Sequence, residues 1–168
     1  MNSQAMAMLY DEHEVILQEM QALRQFLETG NLAEGRDELA RFFDFFRTYA
    51  DKYHHQKEED LLFSLLKDRH AGLTNIVEAL ETHHELFRDY LKDAEAALHQ
   101  QNWESARSTL QRYLSDLTDH ISAENDELFI AVDEGLSEAE KERLYFSFLD
   151  KDAELGVDLK KQYENVFL

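Results

Sequence analysis

The sequence predicts an all-α fold: an antiparallel up-down-up-down four-helix bundle with an additional C-terminal helix. Proline is absent, and glycine occurs only at positions 30, 35, 72, 135 and 156. Four of those glycines fall between periodic segments, the punctuation of helices rather than of strands and hairpins. Between them, apolar residues recur at spacings of three and four along four long stretches joined by short polar connections, the pattern of a bundle.

The first helix is expected over about Ser3 to Glu28, with Leu9, His13, Ile16, Met20, Leu23 and Leu27 on one stripe. A polar connection from Thr29 to Arg36 precedes the second, expected over about Asp37 to Lys67. That helix turns Phe42, Phe43, Phe46, Ala50, His54, Glu58 and Leu61 inward, with Leu62 and Leu65 continuing the face, and Asp68 to Gly72 closes it. The third, about Leu73 to Gln100, carries Val77, Leu80, His84, Phe87, Leu91, Ala94 and Leu98 in an unbroken stripe. His83 lies about 100° off that stripe, so His84 is the inward one of the two. Asn102 can cap the fourth helix, which turns Leu110, Leu114, Leu117, His120, Glu124, Leu128 and Ala131 inward and ends near Gly135. Ser137 to Glu140 reads as a capping box that opens a fifth helix. Its apolar residues Leu144, Phe148, Leu155, Leu159 and Val166 are interrupted by Asp150 to Asp152 and by Gly156, so a bent or split helix is expected. Residues 1–135 are assigned to the bundle and 136–168 to a C-terminal helical extension packed on the same domain.

Composition narrows the function. The chain has 168 residues, 43% hydrophobic and 11% aromatic, enough for one domain with a buried core. A formal net charge of −19 without a Lys/Arg cluster argues against nucleic acid or an anionic membrane surface as a partner. With no cysteine, disulfides, thiolate-bound zinc, iron–sulfur clusters and thiol nucleophiles are excluded, and any metal must sit on nitrogen and oxygen. The opening residues have no basic segment before an apolar run and no window reaches the length of a membrane span, so a cytoplasmic protein is expected.

The chemistry concentrates in YHHQKEEDLLFSLL, residues 53–66, where His54 and Glu58 are four apart and share a face with leucines. An imidazole and a carboxylate aimed into an apolar interior need a partner, and a metal is the natural one. HISAENDELFIAV, residues 120–132, repeats the spacing with His120 and Glu124. Lone inward histidines in the first and third helices, His13 and His84, complete a two-fold pattern of four histidines and two carboxylates. The competing reading is a set of buried hydrogen-bonded pairs that fix helix register, which would be a costly core without a metal. His55 and Glu59 lie off the inward stripe and are read as supporting or surface groups rather than ligands. His70 and His99 sit at helix ends, where they suit the helix dipole, and Trp103 is read as a packing residue.

At these residues the sequence resembles the hemerythrin-like family of HHE cation-binding domains. That family's second-helix motif, HHxxEExxLF, is matched by His54, His55, Glu58, Glu59, Leu62 and Phe63. Its fourth-helix motif is matched by His120, Ile121, Glu124, Leu128 and Phe129, and the likeness covers about Asp11 to Val132. The resemblance implies a non-haem di-iron site: His13 and His54 on one ion, His84 and His120 on the other, and Glu58 and Glu124 bridging. Two iron ions are expected ahead of manganese or zinc, since bridging carboxylates with imidazoles suit iron or manganese. A ferritin-like site is disfavoured, because only Glu81 to His84 has the Glu-x-x-His form.

One departure bears on function. Oxygen-carrying hemerythrins place a second histidine four residues after the first in the third helix, where this chain has Arg88. The expected ligand is a small diatomic or a peroxide: O2, peroxide or nitric oxide. Redox reactivity, in the manner of a di-iron oxidoreductase, is expected ahead of stable O2 carriage. The alternatives are reversible O2 storage or sensing, and an iron-responsive interaction module. The alternative is that Tyr10, Tyr53, Glu81 or another nearby side chain fills the place of the missing histidine.

Overall fold

Ser3 opens the first helix as its N-cap, its hydroxyl accepting the Met6 N–H at 3.3 Å. The computed structural model describes residues 2–165, and every regular element among them is helical. Helix α1 (Gln4–Thr29) buries the whole expected stripe from Leu9 to Leu27, including His13, and also buries Glu12 and Glu19 beside it. Val166 lies outside the described residues.

The second long run covers 36–69 and is not uniform. Helix α2 (Arg36–Phe45) passes into a π-helical stretch, Phe46–His55, then a second, Glu58–Phe63, and ends as α3 (Ser64–Arg69). A π turn closes on the fifth residue rather than the fourth, so it widens the helix and shifts which residues face inward. Leu62, Phe63 and Leu66 are buried as a result, while Leu61 and Leu65 are only partly so. The same widening carries His55 inside with His54, where the unperturbed period put it off the face.

A 3-10 turn, Ala71–Leu73, leads into α4 (Thr74–His99), in which His84 is buried and His83 exposed, as the stripe requires. Asn102 caps α5 (Trp103–Ala123) by accepting the Ser105 N–H at 3.2 Å. A third π stretch, Glu124–Leu128, follows and runs on as α6 (Phe129–Gly135). All three π stretches begin or end at a candidate ligand or its neighbour: His55, Glu58 or Glu124.

The expected capping box is present, with Ser137 and Glu140 bonded reciprocally at the start of α7 (Glu138–Leu155). That helix runs through Asp150 to Asp152 without interruption, because Asp152 is a buried, paired residue rather than a surface one. The split falls at Gly156, whose φ of +108° is accessible to glycine and strained for other residues, and α8 (Val157–Glu164) starts there. Helix α7 packs on α1 and on the first two π stretches, and α8 on α7 and the first π stretch. No helix among the described residues is long and apolar enough to cross a membrane.

The core is divided in two. One apolar cluster includes Ile16, Ala50, Phe87 and Leu117; the other includes Leu9, Leu62, Leu80 and Leu128. On each long run the gap between the clusters is filled by the candidate ligands: His13 on α1, His54 and Glu58 on the second run, His84 on α4, and His120 and Glu124 on the last. A polar layer therefore crosses the interior between two apolar halves.

Candidate metal centre

All six side chains of that layer are 0 or 1% exposed. Glu58 presents Oε1 to His54 Nε2 at 3.6 Å and Oε2 to His84 Nε2 at 3.5 Å. Glu124 does the same on the other side, with Oε2 3.2 Å from His13 Nε2 and Oε1 3.3 Å from His120 Nε2. Each carboxylate thus spans both histidine pairs with one oxygen apiece. Two overlapping sets capable of holding a cation result: His13, His54, Glu58 and Glu124, and Glu58, His84, His120 and Glu124.

The imidazoles are aimed by their other nitrogens. His54 donates its Nδ1–H to Glu12 at 2.8 Å, His84 to Glu59 at 2.8 Å, and His13 to the Asn125 side-chain oxygen at 2.7 Å. Such partners fix the tautomer and turn the Nε2 lone pair toward the centre. His120 has a looser neighbour, His83, at 3.4 Å between Nδ1 atoms.

Burial pushes His54 down to about 3, with His13 adding to the shift and Glu12 opposing it. His84 is held well below its ordinary range, first by burial and then by the neighbouring His55 and His120. Both are therefore neutral near pH 7, the form that can ligate a metal. Burial also drives Glu58 well above the carboxylate range, helped by the negative charges of Glu124 and Glu12. Glu124 is also desolvated, yet His120 and His13 outweigh burial and hold it well below.

The donor set fits a cation by a direct test. Among the described residues, His13 Nε2, His54 Nε2 and all four carboxylate oxygens of Glu58 and Glu124 are buried without a hydrogen-bond partner. Buried polar atoms are ordinarily paired, and leaving six unpaired in one place is expensive unless a positive charge sits among them. Ligand atoms ~2.1 Å from a shared ion and at right angles stand about 3 Å apart, near the spacings observed.

A model of the hemerythrin HHE cation binding domain matches residues 4–132. The chain belongs to the hemerythrin family. No curated protein and no solved structure matches it. The hemerythrin match takes in every residue of both candidate sets and stops short of α7 and α8.

Around this hemerythrin-family core, several residues take positions that the helical period did not reveal. His55 is 3% exposed, stacks on the His84 ring with centroids 4.1 Å apart, and forms a further potential ligand set with His84 and His120. Arg88 points at neither cation set; it donates to Asp51 at 2.9 Å and Glu59 at 2.7 Å. The three possible substitutes for the missing histidine are committed elsewhere: Tyr10 donates to the Asn125 carbonyl, Tyr53 to the Leu155 and Gly156 carbonyls, and Glu81 pairs with Lys67. Glu12, Lys57, Asp152 and Lys160 form a buried group behind His54. Among them Glu12 lies next to His13 in sequence, but no periodicity marks it, and the contact between Glu12 and Lys160 spans 148 residues.

Proposed function

We propose that this chain is a non-haem di-iron protein with an antiparallel up-down-up-down bundle, its centre formed by His13, His54, Glu58, His84, His120 and Glu124. His13 and His54 would hold one ion, His84 and His120 the other, and Glu58 and Glu124 would bridge them. The observation that carries this reading is the division of each carboxylate between the two histidine pairs. Imidazole with bridging carboxylate favours iron, with manganese or zinc behind it.

When bound, the iron pair supplies redox chemistry toward a small ligand such as O2, peroxide or nitric oxide. The chain's own contribution is to present imidazoles with fixed Nδ1–H bonds, to keep two carboxylates facing each other, and to exclude bulk water with an apolar cluster on either side. Arg88, where carriers of the family have a histidine, leaves the chain with two imidazoles per ion, which favours redox reactivity over stable carriage.

The test is metal analysis of protein reconstituted anaerobically with ferrous iron. About two irons per chain are expected, and Glu58→Ala or Glu124→Ala should lower both occupancies together, because a bridge serves both ions. Retention of one full equivalent in each variant would show that the carboxylates do not bridge.

A further inference from the structure

Tyr49, Tyr53 and Lys57 are spaced four apart on the run that carries His54 and Glu58, and all three bind the C-terminal helices. Tyr49 donates to Glu164 at 3.0 Å, Tyr53 donates to the carbonyls of Leu155 and Gly156 at 2.9 and 2.7 Å, and Lys57 forms an ion pair with Asp152 at 2.7 Å. The two carbonyls that Tyr53 reaches lie at the split between α7 and α8, so the glycine break creates the acceptor that seats them.

The innermost contact is a quartet of charges. Lys57 and Lys160 both donate to Glu12 Oε1, at 2.5 and 2.6 Å, while Asp152 accepts from Lys160 at 2.5 Å and forms an ion pair with Lys57 at 2.7 Å. Two positive and two negative groups cancel, and none is more than 8% exposed. Buried ion groups of this kind seldom stabilise a fold more than apolar residues would, so fold stability alone does not account for it. Its placement does. Glu12 uses its remaining oxygen, Oε2, to accept the Nδ1–H of His54 at 2.8 Å. Half the quartet, Asp152 and Lys160, belongs to helices outside the hemerythrin match.

We infer that Asp152 and Lys160 are positioning residues for the metal centre, clamping Glu12 so that it holds His54, and that docking of the C-terminal helices and metal occupancy therefore reinforce one another. This rests on the ligand assignment proposed above. Ligation of His54 fixes its ring, the ring fixes Glu12, and Glu12 fixes the seat of Lys160. Coupling between two equilibria is reciprocal, so helices that hold the site must themselves be held more firmly when it is filled. The seam between α7–α8 and the second run becomes the part of the molecule that reports iron occupancy.

The experiment uses the full chain, metal-free and loaded anaerobically with ferrous iron, and follows two readouts. The first is iron release to a chelator in the wild type, in Lys160→Met, and in Leu110→Ala, which removes a buried side chain on α5, a helix that carries none of the charged quartet. The second is backbone amide exchange across residues 138–165. Release of the equivalent held by His13 and His54 should quicken by about tenfold or more in Lys160→Met, the usual scale for loss of a group behind a ligand, and much less in Leu110→Ala. Iron should slow amide exchange in α8 of the wild type, and Lys160→Met should abolish that difference, which a merely structural lysine would leave in place. If Lys160→Met does not fold, Tyr53→Phe is read in the same way, since it loosens the seam and keeps all four charges. Wild-type protein that binds two irons with unchanged α8 exchange, or variants that release iron at the wild-type rate, would overturn the coupling and leave the site assignment standing. Failure of the wild type to bind iron would overturn both.

Discussion

Arg88 donates a 2.7 Å hydrogen bond to Glu59, at the position where oxygen carriers of the family have a metal-binding histidine. Glu59 in turn accepts the Nδ1–H of His84, so the arginine acts on the site through one intervening carboxylate. The matching carboxylate on the other side, Glu12, is buried and clamped by two lysines, whereas Arg88 is 36% exposed. An ion pair that exposed contributes at most about 1 kcal/mol to the fold. Arg88→Ala should therefore leave thermal stability nearly unchanged while the metal at His84 and His120 is released roughly tenfold faster. A chelator time course should turn biphasic, one equivalent leaving early. Uniform acceleration of both equivalents would mean that Arg88 does not act through Glu59.

The adjacent histidines of α4 provide a second test. His84 is buried with its Nε2 3.5 Å from Glu58, while His83 is exposed and reaches His120 only through a 3.4 Å Nδ1 contact. His84→Ala should abolish binding of at least one iron, and His83→Ala should retain about two. Metal analysis of the pair decides it: an empty site in His83→Ala would show that the long contact to His120 is needed to aim that ring.

What the sequence revealed was whatever depends on regular spacing. The stripes through His13, His84 and His120 read directly from a period of three and four, and those rings are buried where the period puts them. Glu58 and Glu124 were legible because each follows a histidine by four. The misreading came where the helix leaves that period: the π stretch ending at His55 turns this residue inward, and nothing in YHHQKEED announces a wider turn. Glu12, Lys57, Asp152 and Lys160 were hidden for a different reason. Charged residues in a chain of net charge −19 read as surface unless their partners are known, and the partners lie on four separate segments of the chain.

Gly156 offers a test of the α7–α8 split that does not involve metal. Among the described residues a Cβ placed there meets nothing closer than 3.8 Å, so there is room for one, but φ is +108°. The cost of alanine is therefore conformational, about 1–2 kcal/mol. For a chain of this size that corresponds to a melting temperature lower by about 2–8 °C. Gly72→Ala, at a position where a Cβ meets no described residue within 4 Å and φ is not positive, should not lower it. Equal melting temperatures for the two variants would show that the split tolerates a side chain and that α8 can reseat.

The last prediction concerns the reaction with O2. In the proposed centre the chain supplies two imidazoles and two carboxylate oxygens to each ion, and iron sites that keep open positions are the ones that react with O2. Tyr10, Tyr53 and Glu81 are all bonded elsewhere, so none of them fills a position. His55 lies close enough to His84 and His120 to form a ligand set with them, but its ring lies stacked on that of His84 rather than facing Glu58 or Glu124. Anaerobic ferrous protein exposed to air should accordingly lose its ferrous form within minutes, followed by its near-ultraviolet and visible absorption. Arg88→His places an imidazole one turn from His84 and should slow that loss several-fold. The substitution also breaks the bonds from Arg88 to Asp51 and Glu59, so Arg88→Ala is the proper reference: it loses the same contacts and adds no ligand. Slower oxidation in Arg88→His than in Arg88→Ala isolates the effect of the added nitrogen. Equal rates would separate oxidation from coordination number, and an oxygenated wild type that persists for hours and releases O2 under vacuum would restore the carrier reading.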